Sequence, residues 1–111
     1  MKYIKTYEKL INDLSKLKKY IVVALTTSDS ETDYFIDTII NISSNDVTYT
    51  MLYHYQEYNK KLIPVTGDEG NIVKSTAKIN NYLKRVIFSS DNLDDCLDFI
   101  NMREQTTKYN L

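Results

Sequence analysis

The side chains able to do chemistry are few in kind and scattered in position. One histidine, His54, and one cysteine, Cys96, are the entire imidazole and thiol inventory of 111 residues. Structural zinc needs four such ligands at short spacings, so no zinc pattern exists. Serines and aspartates are plentiful enough for a Ser-His-Asp site. Yet no Gly-x-Ser-x-Gly elbow presents a nucleophile. His54 therefore reads as an ordinary half-exposed strand residue, and Cys96 as a small buried hydrophobe.

Two acidic patterns invite a metal and fail on spacing. Asp29, Glu31 and Asp33, followed by Asp37, resemble the start of a calcium loop. Tyr34 stands where that loop needs glycine, and Ile40 where it needs a bidentate glutamate. Metal-dependent nucleases set an aspartate on one strand beside an Asp/Glu-x-Lys on the next. Asp37 could supply the first part, but the nearest second part, Glu57 to Lys60, is one residue too long. On a strand that lysine would point to the wrong face. No catalytic residue, metal or cofactor is expected.

Charge offers a different kind of chemistry. The formal net charge of -1 hides segregated blocks. Residues 1–20 carry six positives and two negatives, and residues 60–85 carry the same numbers. Residues 26–37 carry four negatives alone, and residues 91–104 carry five negatives against one positive. Lys5, Lys9 and Lys16 recur at helical spacing, as do Lys74, Lys78 and Arg85. Such stripes are either the solvated side of an amphipathic helix or a grip for phosphates. Asp91, Asp94, Asp95 and Asp98 form the opposite surface, and Asp29, Glu31 and Asp33 a second acidic stretch. Either could meet a basic partner, where like-signed faces give steering and association rate.

Tyrosine is the other enriched type, ten of 111 residues. Tyr49, Tyr53 and Tyr55 share a strand face with Tyr34, as an aromatic core or as a contact surface. Tyr58, in a turn, is expected to be exposed.

These residues need elements to hold them. Residues 3–19 form a helix with the seam Tyr3, Tyr7, Leu10, Leu14, Leu17 and Ile21. That seam packs on a sheet or pairs with a second copy of the chain. Residues 20–26 are a β-branched run, read as a strand covered on both faces. Residues 27–33 are a polar loop. Residues 34–42 and 47–55 are strands joined by the four-residue loop 43–46. If Ile42 faces Val47, then Tyr34, Ile36, Ile40 and Ile42 share one face with Val47, Tyr49, Tyr53 and Tyr55. Asp37, Asn41, Thr48, Thr50 and His54 lie on the other, wetter face. Pro64 places a short strand, 61–65, at an edge. Residues 71–83 are a second helix and 85–89 a strand. A third helix, capped by Ser90 or Asp91, runs to Met102 with Leu93, Cys96, Leu97 and Ile100 inward. Residues 104–111 read as a frayed tail.

The expected fold is α+β, one domain over residues 1–111. Helices pack on one face of a mostly antiparallel sheet of about four to five strands, in the order α-β-β-β-(β)-α-β-α. The α-β-β-β-α order of residues 1–83, with Lys74, Ala77 and Lys78 after a glycine-bearing loop, resembles double-stranded RNA-binding domains. That resemblance implies lysines gripping phosphates at the start of the second helix. Ser75 and the pair Ile79-Asn80 depart from the family pattern.

The function expected is a small non-enzymatic interaction module that binds a larger protein. Its composition has the lysine- and asparagine-rich cast of an AT-rich genome. Short chains of that cast, without motifs, are common among phage and mobile-element accessory proteins, and inhibitors of host defence nucleases belong there. The alternative is a nucleic-acid-binding module using the lysine stripes. A lone cysteine and the lack of a signal peptide or long apolar run point to the cytoplasm, with no membrane partner.

Overall fold

A computed structural model describes residues 13–26, 32–56 and 60–109. It is a small α+β fold on a six-stranded sheet in which every pairing is antiparallel. The strands are β1 (Tyr20–Thr26), β2 (Thr32–Ser43), β3 (Asp46–Gln56), β4 (Lys61–Pro64), β5 (Lys74–Lys78) and β6 (Val86–Ser90). Helix α1 (Ile79–Arg85) lies between β5 and β6, and α2 (Leu93–Tyr109) follows β6. A short 3-10 turn covers Asp68–Gly70. Residues 13–15 are helical and lead into β1.

The sheet runs β4-β3-β2-β1-β6, and β5 also bonds to β3. β4 pairs with the end of β3 and β5 with its beginning. The two therefore occupy one edge in succession, interrupted by an excursion over residues 65–73. Two bonds stitch the gap: Val65 N–H donates to Leu52 O at 3.0 Å, and Met51 N–H to Val73 O at 3.1 Å. Pro64 sits on this edge, where its missing N–H costs no ladder bond.

The β2–β3 hairpin keeps the expected register at both ends, with Ile42 opposite Val47 and Tyr34 opposite Tyr55. Between them the register shifts after Ile36 and returns before Asn41. An extra residue on each strand, Leu52 and then Ile40, reverses which side faces which core. The single aromatic face of the sequence reading is thereby divided. Tyr34, Ile36 and Tyr55 enter a core with Val22, Cys96 and Ile100 under α2. Val47 and Tyr49 enter another, with Leu14, Ile21, Val23, Ile79 and Tyr82 under α1. Helices thus cover both faces of the sheet, where one was expected. The seam residues Leu14, Leu17 and Ile21 pack on this second core, and Tyr3, Tyr7 and Leu10 lie outside the described residues.

β1, between β2 and β6, is covered on both faces in this three-layer arrangement. Ile21, Val22 and Val23 are each at most 3% exposed, so successive side chains fill opposite cores. This was legible in the unbroken β-branched run.

The second helix is where the expectation fails. Residues 74–78 are a strand, and the helix starts at Ile79. Ala77 pairs with Val47 and Thr76 with Thr48, so alternation wins over helical periodicity. The N–H of Ile79 donates to the carbonyl of Asn45 in the hairpin turn at 2.8 Å, which satisfies a helix-end donor. The topological likeness to double-stranded RNA-binding domains goes with this, because Lys74 and Lys78 are on β5. β2 also begins earlier than expected, at Thr32, so Asp33 is a strand residue. The hairpin turn tightens to Ser44-Asn45. α2 passes Met102 and ends at Tyr109.

Candidate functional site

The N-terminus of α2 gathers Asp91, Asp94, Asp95 and Asp98. Asn92 caps the helix, in place of Ser90 or Asp91, and its Oδ1 accepts from the N–H of Asp94 at 2.9 Å. Ser90 Oγ accepts from Asn92 N–H at 3.1 Å and donates to Asp95 Oδ2 at 2.8 Å. Asp91 Oδ1 accepts from Lys19 N–H at 3.1 Å, which ties the turn before α2 to the chain entering β1. Ser89 Oγ accepts from Lys18 N–H beside it at 3.1 Å. Asp91 and Asp95 therefore have structural duties. The side chains of Asp94 and Asp98 carry none of the described bonds, and all four residues are exposed. Among the described residues none of the four forms an ion pair. Asp94 and Asp95 stand in the first turn, where the positive end of the helix dipole favours negative charge, and Asp98 is one turn further on.

The basic candidates do not converge in the same way. Lys16 is exposed near the end of the first helical segment, while Lys5 and Lys9 lie outside the described residues. Lys74 and Lys78 are on the edge strand β5, and Lys78 Nζ pairs with Asp46 Oδ1 at 2.9 Å. Arg85 is half-buried with its guanidinium 5.5 Å from the Tyr82 ring centroid. One expected stripe is thus spread over a strand, an ion pair and an aromatic contact.

Of the second acidic stretch, Asp29 and Glu31 lie outside the described residues, as does Tyr58. Asp33 pairs with His54, Oδ2 to Nε2, at 3.0 Å. His54 also stacks on Phe35, with centroids 4.3 Å apart and planes 5° from parallel. Sequence reading missed this pair because it left Asp33 in a loop. The expected register makes Asp33 and His54 diagonal cross-strand neighbours, so only the strand boundary was lacking. Among the described residues no serine hydroxyl bonds His54.

Four of the described tyrosines are core, and Tyr20 and Tyr53 are half-buried. Tyr34, Tyr49, Tyr55 and Tyr82 are buried under the helices, which removes them as an exposed stacking surface. Tyr34 Oη accepts from Arg103 Nε at 3.2 Å at the rim.

The least expected feature is a buried carboxyl. Asp37 was placed on the wetter face and is fully buried in the core beneath α1. Tyr82 Oη donates to its Oδ2 at 2.9 Å, and Oδ1 has no partner. Burial lifts its pKa to about 7, against the lowering effects of the Tyr82 bond and of Arg85. The same burial, with the Asp37 charge, pushes Tyr82 far above the ordinary phenol value. Burial and the charge of Asp95 likewise raise the Cys96 thiol, which stays protonated.

A half-open cleft of about 180 Å³ lies between α2 and the β3–β4 edge, lined by Tyr55, Leu62, Leu97 and Ile100 with Lys60 and Asn101. Among the described residues no group of three or more His, Cys, Asp or Glu is placed to hold a metal ion. No described helix is long and apolar enough to cross a membrane. No family model, curated protein or solved structure matches the chain.

Proposed function

We propose that this chain is a non-enzymatic interaction module that docks the acidic N-terminal face of α2 on a basic surface of a larger protein. The observation that carries the reading is the convergence of Asp91, Asp94, Asp95 and Asp98 on one exposed, capped helix end without a described counter-ion. Four carboxylates on a rigid element, without an ion-pair partner among the described residues, steer a positive partner and penalise a negative one. A protein whose basic surface ordinarily holds phosphates fits this chemistry, and a host defence nuclease inhibited by a phage or mobile-element protein is such a case. The nucleic-acid alternative has less support, because its second stripe is divided among β5, an ion pair and an aromatic contact.

Differential capture from nuclease-treated host extract tests the reading. A partner retained by the wild type and lost by Asp94→Asn/Asp98→Asn is expected. A partner lost by Lys74→Gln/Lys78→Gln, or released by nuclease, contradicts it. Asp94 and Asp98 are the clean positions, since neither side chain carries a described structural bond.

A further inference from the structure

We infer that the outer edge of β6 is a docking edge for an extended segment rich in lysine or arginine, which adds to the sheet as a further strand beside the acidic helix. This rests on the acidic-face reading and adds to it a backbone mode of recognition.

The two edges of the sheet are built differently. On the β4–β5 edge stand Pro64, Lys61, Lys74 and Lys78, together with the excursion over residues 65–73. Proline, lysine and irregularity are the usual guards against strand addition. β6 reads Val-Ile-Phe-Ser-Ser, with no charge, proline or glycine. Among the described residues β1 is its sole strand partner. A strand bonded on one side turns alternate N–H and C=O groups outward, which is a template for another strand.

What flanks the edge selects the occupant. Phe99 of α2 stacks on Phe88 of β6, with centroids 4.5 Å apart and planes 9° from parallel. Met102, one turn further along the helix, is 68% exposed. Asp95 is bonded to Ser90 at the end of β6, and Asp98 is exposed one turn on. An incoming strand therefore meets backbone along β6, apolar surface at Phe99 and Met102, and carboxylates at Asp95 and Asp98 toward the Ser90 end, while Lys84 and Arg85 precede the Val86 end. A second copy fits poorly, because pairing β6 with β6 sets one acidic helix beside another. Nucleic acid is repelled for the same reason. A segment that alternates basic and apolar residues satisfies all three features.

The test is fluorescence anisotropy on the full chain with a labelled peptide in which lysine alternates with valine. Two controls accompany it: the same peptide N-methylated at successive residues, which blocks both of its edges, and one with glutamate for lysine. The parent peptide is expected to bind. The N-methylated peptide should bind at least about tenfold more weakly, a modest loss for several hydrogen bonds. The glutamate peptide should not bind, and Asp95→Asn/Asp98→Asn should weaken the parent. Equal binding of the parent and N-methylated peptides, both weakened by the aspartate changes, overturns the edge while leaving the acidic face standing. Binding indifferent to the aspartates overturns the charge selection and the acidic-face reading together. No binding of the parent, or a β6-mediated dimer that the peptide cannot displace, overturns the edge.

Discussion

Asp37 brings a carboxyl into the core of Leu14, Ile21, Val23, Val47, Tyr49, Ile79 and Tyr82. Its oxygens obtain one bond between them, from Tyr82. The folded protein holds the proton up to about pH 7, whereas an unfolded chain releases it near the ordinary 3.8. Between those values the folded state binds the extra proton, so stability falls as pH rises, by on the order of 4 kcal/mol in total. Urea unfolding of Asp37→Asn across that window should show a markedly flatter pH dependence than the wild type. An unchanged slope would locate the linkage elsewhere. Tyr82→Phe removes the one donor to the carboxylate and should cost about 1–3 kcal/mol, most at high pH. Alternation along β2 did place Asp37 opposite Tyr34 and Ile36. What it could not show is that α1 covers that opposite side, since coverage depends on contacts distant in sequence. The Asp33–His54 pair was closer to legible, and a strand starting two residues earlier would have shown it.

At the scale of elements, local signals succeeded where a segment was uniform and failed where two periods competed. The β-branched run of β1, the β2–β3 hairpin and the inward residues of α2 follow from periodicity alone. Residues 71–83 satisfy a helical spacing through Ile72, Thr76, Ile79 and Leu83, yet the chain needs an edge strand beside β3. That pairing uses Lys74 to Lys78, and the helix shrinks to Ile79–Arg85. The two compensating register shifts were invisible because the register is the same at both ends. The caps and turns can be tested directly. Asn92→Ala removes the side-chain acceptor at the start of α2 and should lower stability by about 1 kcal/mol in denaturant unfolding. No change would assign the cap to another group. Ser44 holds a left-handed φ of 49° in the hairpin turn. Ser44→Gly relieves that conformation and should raise stability by roughly 0.5 kcal/mol, with the gain reduced by the extra freedom of glycine when unfolded.

For the molecule as a whole, the fold gives the charge blocks unequal fates. The aspartates of residues 91–98 converge on a capped helix end, whereas Lys74, Lys78 and Arg85 disperse. This difference was unreadable in sequence, because both blocks show helical spacing, yet the acidic one folds as a helix from Leu93 on and the basic one is divided between β5 and α1. Binding through the acidic face should weaken as salt rises, while the Asp94→Asn/Asp98→Asn protein loses no more than about 1 kcal/mol of stability, the helix-dipole contribution of Asp94. The most direct measurement places a photo-crosslinking residue at position 98 in one variant and at position 74 in another, with irradiation in nuclease-treated host extract. A protein adduct from position 98 and none from position 74 is the predicted result. An adduct from position 74 alone would contradict the acidic-face account.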